Sequence, residues 1–373
     1  AFSCFTCKRL YDGPVPLSRW RHGLYLMRAL VLNGPNEPFS LETIPDPEPK
    51  RGEAVARVIS CGAGLTIQHV KAGRAGVEYP RIIGHEITGV IEAVGEGVTD
   101  LSVGDAVTSY FYLTCGRCRW CQINRETLCE NFGGYVGRVC DGGYAELINL
   151  PTKNYLKLPE NLDWQANAAE VGVITDAIAT PVKVIRHAGI KPGETVAVFG
   201  AGGGLGIHMV MLAKWAHAEV IAVDTATEKF SACRDAGADH CVNPNKEGCP
   251  ELLKELSNGG VDVAIDFVSS TQTLETSIES LGRGGRMVTL GGSGESFAAH
   301  SHQMLQKELV LMGSRYATRQ EVIDSLKLCS RGEVWPMVTE TTDMEGAEAL
   351  HGRLEQGLIT GRAAIMINGP KDT

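Results

Sequence analysis

The chain has 373 residues, 43% of them hydrophobic and 21% charged, with a formal net charge of −9. That length exceeds one ordinary core and predicts two domains, and the composition is that of a soluble globular protein. The acidic balance argues against a nucleic-acid surface, and every apolar run is broken short of a membrane span, so neither nucleic acid nor membrane is expected as a partner. Four of the twelve cysteines crowd into one short window; this points to metal binding in a reducing compartment, the cytoplasm, and away from a disulfide scaffold.

Residues 1–26 carry Lys8, Arg9, Arg19 and Arg21 against Asp12 alone. With no apolar core long enough for secretion, they read as an extension outside the fold; a basic transit peptide is the alternative, and the Cys4–Cys7 pair reads as incidental. From Met27 to about Pro159 short β-branched runs separated by Gly, Pro or Asp predict a strand-rich region, among them MRALVL, EAVARVIS, HEITGVIEAV, GDAVTSYFYL and YAELINL. Beyond about Ile174 the texture alternates. ETVAVFG, EVIAVD, VDVAIDFV and RMVTLGG read as strands, and GLGIHMVMLAKWA, TATEKFSACRDAG and TLETSIESLG as helices. Such alternation predicts a parallel sheet covered on both faces. After ELVLMGS come a helix-like RQEVIDSLKLCS and a final strand, AAIMI. The architecture expected is α/β: a β-rich domain built from both chain ends, with a doubly wound domain inserted.

VAVFGAGGGLG follows a predicted strand and opens a predicted helix. It is not a strict GxGxxG, but Gly202, Gly203, Gly204, Leu205 and Gly206 would let backbone approach a pyrophosphate at a helix N-terminus. Asp224 ends the next strand, 20 residues after Gly204. A carboxylate there would bind ribose hydroxyls and repel a 2′-phosphate, which favours NAD over NADP; Lys229 is a candidate further ribose contact.

CGRCRWCQINRETLC places Cys115, Cys118, Cys121 and Cys129 close enough to surround one tetrahedral zinc with no open position, the mark of a structural site. Arg117, Arg119 and Arg125 would offset the charge of a tetrathiolate.

The glycine turn and the cysteine lobe in this order, with GHE (Gly84–Glu86) ahead of the lobe, resemble the medium-chain dehydrogenase/reductase superfamily, the zinc-containing alcohol dehydrogenases. The resemblance runs from about Met27 to Ile367. It implies a GroES-like catalytic domain (27–177 and 316–373, zinc lobe about 112–132), a Rossmann NAD-binding domain (178–315), a site in the cleft between them, and a homodimer or homotetramer. It also implies roles: Thr66 and His69 as a proton relay, Arg362 as the pyrophosphate-binding arginine, and Phe111 lining the substrate pocket. His85, Glu86 and Asp176, the last in a TDAxxTP context, would be the ligands of a catalytic zinc.

One stretch departs from the pattern. In CGAGLTIQHV the position of the family's ligand cysteine is Gly64, and Ile67 stands where an aspartate supporting the metal ligands is usual. Cys61, three residues upstream, points to the other face of an extended segment. Three protein donors plus water still make a legitimate zinc shell, but the strong thiolate is gone. With zinc, the resemblance implies NAD-dependent interconversion of a small alcohol with a ketone or aldehyde. Without it, the alternative is reduction of a conjugated carbon–carbon double bond in an enone or enal. A third alternative is a cofactor-binding protein without turnover.

Overall fold

The computed structural model describes residues 25–246, 248–292 and 294–368. The basic opening segment, with Cys4 and Cys7, lies outside the described residues. Among those described, no helix is long and apolar enough to cross a membrane.

The central segment forms a six-stranded parallel sheet. Its order is His240–Val242, Glu219–Val223, Thr195–Phe199, Val261–Asp266, Leu281–Thr289 and Val310–Gly313. The strand TVAVF is buried along its whole length because helices cover both faces. Val196 and Val198 pack with Val220, Ala222, Val263 and Ile265 on one side; Ala197 and Phe199 pack with Ile221, Val223 and Ala264 on the other. The period-2 geometry of a strand divides these residues between two cores. Strand order reverses beside Thr195–Phe199, which makes the C-terminal end of that strand the switch point where ligands of such sheets bind.

The chain ends build the other domain. A seven-stranded mixed sheet contains Glu53–Ala63, Ile87–Val94, Ala106–Ser109, Tyr155–Lys157 and Leu147–Pro151 from the first part of the chain, and Val338–Thr342 and Arg362–Met366 from the last. A three-stranded sheet of Ser40–Pro45, Leu26–Leu32 and Arg81–Ile82 lies beside it. Arg362–Met366 runs antiparallel to Glu53–Ala63, with Ala363 opposite Ala63. That register sets Arg362 across from Gly64.

One predicted element differs. The strand expected in GDAVTSYFYL ends at Ser109, and Tyr110–Tyr112 turn into an aromatic cluster instead. The TDAxxTP segment is not a plain helix: Ile174–Ile178 forms a π-helical turn between Ala168–Val173 and Ala179–Ala188, a local widening that often marks functional positions. Phe199 is 1% exposed at the middle of the parallel sheet. Phe199→Ala is expected to cost about 3–5 kcal/mol of stability, read by denaturant unfolding, with the zinc content of the cysteine lobe unchanged.

Candidate active site between the two domains

The glycine turn lies at the switch point. Gly200 has φ +75°, and a Cβ on Gly206 would sit 2.0 Å from the Gly200 carbonyl oxygen, so both positions require glycine. The helix Gly206–Trp215 follows at once. Gly203, Gly204, Leu205, Gly206, Asp224, Lys229 and Arg362 all line a cavity of about 460 Å³. Asp224 Oδ2 accepts from the Gly202 N–H at 2.7 Å and Oδ1 from the Ala226 N–H at 2.9 Å, which orients the carboxylate at the cavity wall. Lys229 differs from expectation. Its ammonium donates to the carbonyls of Gly357 and Ile359 at 2.7 and 2.9 Å, so it ties the C-terminal segment to the turn.

A second cavity, of about 690 Å³, adjoins the first, and Thr66 and His69 line both. They stand on the short helix Leu65–Lys71, three residues apart and so on one face. Arg74 Nε donates to His69 Nδ1 at 2.8 Å, and its two terminal nitrogens pair with both carboxylate oxygens of Glu355 at 2.7 Å. A guanidinium only donates, so Nδ1 is the acceptor and the neutral ring carries its proton on Nε2. Burial lowers the His69 pKa, the Arg74 charge adds to that, and Glu355 opposes it. The clamp continues inward through Gln68 to His351 and Tyr144, fixing the relay helix against the C-terminal helix Ala347–Glu355.

His85, Glu86 and Asp176 come together as the resemblance implied: one ligand atom from each lies within 4.8 Å of the others, and all three residues are buried. The space among them is taken by Arg362. Its Nη2 is 2.6 Å from Asp176 Oδ2 and 3.0 Å from Glu86 Oε1; the second contact is an ion pair without hydrogen-bond alignment. Thr180 Oγ1 donates to the other Asp176 oxygen at 2.7 Å. A Cβ on Gly64 would lie 1.8 Å from Arg362 Nη1, and one on Gly62 would lie 2.2 Å from Glu86 Oε2. Gly62 in the strand Glu53–Ala63 and Gly64 just past its end are what admit the carboxylate and the guanidinium.

The electrostatics follow. Burial raises the Glu86 pKa to about 8 against the pull of Arg362. For Asp176, burial is outweighed by Arg362 and the Thr180 hydroxyl, and the pKa falls. His85 drops to about 4 through burial and is neutral; its Nε2 has no hydrogen-bond partner, and its ring packs 4.0 Å from that of Phe111. As arranged, the Arg362 guanidinium lies against Glu86 and Asp176 among three donors that could otherwise hold a metal ion, and no thiolate is among them.

Arg362 lines the cavity of the glycine turn while its guanidinium contacts Asp176 and Glu86. One expectation is corrected. Phe111 backs His85 within a cluster that includes Tyr112 and Tyr316, and Tyr135 is the aromatic on the cavity wall. Cys61 faces away as expected, its sulfur against Gly84 and Gly143. Arg74 and Tyr135 carried no sequence signal of their own, though Arg74 follows His69 by only five residues.

The cysteine lobe fits zinc. Sulfur–sulfur separations are 3.5 Å for Cys115–Cys129, 3.6 Å for Cys118–Cys121, and 4.0 Å for both Cys115–Cys121 and Cys118–Cys129, against about 3.8 Å for the edges of a tetrahedron with 2.3 Å Zn–S bonds. The expected arginine compensation comes instead from backbone: the N–H groups of Arg117 and Cys118 point at Cys115 Sγ and pull that thiol down to about 6. Arg119 and Arg125 lie over the Trp120 ring.

Comparison with known proteins agrees with this arrangement. Residues 50–160 match the alcohol dehydrogenase GroES-like domain and residues 204–331 the zinc-binding dehydrogenase model. An alcohol dehydrogenase of Geobacillus stearothermophilus is 33% identical, over 92% of this chain and all of its own length. In Sulfurisphaera tokodaii an NAD-dependent alcohol dehydrogenase is 31% identical (91% and 100% covered) and an acryloyl-coenzyme A reductase 33% identical (91% and 99%). Among solved structures, AibC superposes with a TM-score of 0.86 at 29% identity, covering 96% of this chain and 99% of its own. A cobalt- and zinc-bound alcohol dehydrogenase of Pyrobaculum aerophilum gives 0.82 at 30% identity, covering 92% and 100%. The chain belongs to the zinc-containing medium-chain dehydrogenase/reductase superfamily, with its GroES-like and Rossmann domains. It is an oxidoreductase of that type.

Two measurements check the site. In Gly64→Cys alone the new side chain collides with Arg362, so the expected result is a destabilised protein that gains no zinc; Gly64→Cys combined with Arg362→Ser is expected to gain one zinc per chain by elemental analysis. Arg74→Gln removes a positive charge and leaves Glu355 facing His69, so the His69 imidazole, followed by NMR, should titrate at higher pH than in the wild type. An unchanged His69 titration would show that the clamp does not act on the relay.

Proposed function

We propose that the protein is an NADH-dependent reductase of conjugated carbonyl compounds, adding hydride to the β-carbon of an enone, enal or related unsaturated acyl group. The observation that carries this reading is the Arg362 guanidinium lodged among Glu86, Asp176 and Gly64. Reduction of an isolated ketone builds charge on one oxygen and needs an electrophile worth several kcal/mol there. Hydride addition to a conjugated system gives a delocalised enolate, which asks less of the site.

Bound NADH would supply the hydride for the new C–H bond at the β-carbon, NADH being oxidised as the substrate double bond is reduced. A proton completes the α-carbon. Thr66, on the wall shared by the two cavities, is placed to hand it over, with His69 Nε2 resupplying it from solvent. Neutral His85 on the substrate side offers a hydrogen-bonding edge without a competing charge. The glycine turn would hold the pyrophosphate and Asp224 the ribose.

A second reading, interconversion of an alcohol with a ketone or aldehyde at a catalytic metal, draws its support from the three converging donors and from the alcohol dehydrogenases among the relatives. Identity does not choose between them, since the acryloyl-coenzyme A reductase is equally similar. A panel of enones and saturated ketones with NADH and NADPH, alongside elemental analysis, separates the two. The expected outcome is one zinc per chain, turnover of enones, little turnover of saturated ketones, and a preference for NADH. Two zincs per chain with brisk oxidation of simple secondary alcohols would establish the second reading instead.

A further inference from the structure

The substrate cavity has a charge pattern that the hydride chemistry does not use. Two arginines, Arg74 and Arg138, line it, and no aspartate or glutamate does. Arg74 is neutralised by its two-point pairing with Glu355. Arg138 forms no ion pair with any carboxylate among the described residues. Its Nε donates to the Gly76 carbonyl at 3.0 Å, and its guanidinium lies 5.5 Å from the centre of the Tyr135 ring. The ring is itself held from behind: Arg315 donates to the Tyr135 hydroxyl at 2.7 Å and lies over the ring at 5.6 Å. Gly137, with φ +77°, turns the backbone between Tyr135 and Arg138. Arg138 is therefore a half-buried cation, steadied by a carbonyl and an aromatic face, in a chain of net charge −9 that offers it no acid in the cavity.

We infer that the substrate carries an anionic group, a carboxylate or a phosphate, remote from its conjugated carbonyl, and that Arg138 receives it while the reacting end lies against Thr66 and His85. This rests on the proposed reading for the reacting end only; recognition of the anion is a property of the cavity that binding measures without turnover. Arg138 is a specificity-determining residue. A guanidinium pairs a carboxylate or phosphate through two parallel N–H bonds, and a hydrogen bond to a charged group is worth enough to change affinity about 10- to 100-fold.

The test measures binding to the NADH-loaded protein of pentanoate, which carries no reducible ketone or double bond, and of its neutral methyl ester. In parallel, turnover is measured with 4-oxo-2-pentenoate, its methyl ester, and crotonyl-coenzyme A as the phosphate-bearing arm. The wild type should bind the anion about tenfold or more tightly than the ester, less so at high salt. Arg138→Gln should abolish that preference by raising the KM for anionic substrates with little change in kcat, and Arg138→Lys should restore part of it. Tighter discrimination for 4-oxo-2-pentenoate or for crotonyl-coenzyme A identifies carboxylate or phosphate as the group received. Equal binding of acid and ester by the wild type, or a preference that survives Arg138→Gln, would overturn the inference. Retained anion binding without enone turnover would uphold it while sinking the double-bond reading.

Discussion

The contact between Arg362 and the two buried carboxylates of Glu86 and Asp176 governs the chemistry of this cleft. All three residues come from different parts of the chain, and all are nearly inaccessible to water. Burying charge is costly unless it is paired, and breaking such a pair by removing one partner typically costs about 3–5 kcal/mol. The guanidinium hydrogen-bonds Asp176 and lies in ion-pair contact with Glu86. Any divalent cation entering the same space would have to displace it, without the thiolate that a cysteine at position 64 would have contributed.

The glycines make this arrangement feasible in a packed interior. Gly62 in the strand and Gly64 just beyond its end each leave room for a charged group that a Cβ would exclude. The π-helical turn at Ile174–Ile178 brings Asp176 to the same point, and Thr180 occupies its second oxygen. His85 is left with an unpartnered Nε2 and with a ring fixed by Phe111. The site is thus a set of polar groups held by packing, with its one formal cation turned inward.

Around that centre the two chain ends cooperate. The helix bearing Thr66 and His69 is tied to the C-terminal helix through Arg74, Glu355, Gln68 and His351, while Lys229 fastens the cofactor turn to the segment preceding Arg362. Relay, cofactor turn and cluster are consequently mechanically linked. The segment from His351 to Arg362 contacts all three.

What the sequence determined was whatever could be encoded locally. Four cysteines within 15 residues define a tetrathiolate lobe because a short loop brings them together under most packings, and their sulfur separations agree with it. The glycine turn and Asp224 were legible because a strand, a tight turn and a helix follow one another directly. The absence of a cysteine at position 64 was equally plain. What occupied the vacated space was not, because Arg362 reaches Gly64 through an antiparallel register between segments about 300 residues apart, and no local pattern specifies that pairing. The same holds for Phe111, whose side chain was expected at the pocket and packs behind His85, and for Tyr135 and Arg138, which enter the cavity wall only because their loop folds beside it. Local spacing fixed the metal lobe and the cofactor turn; long-range strand pairing and packing decided which charge sits at the centre of the cleft.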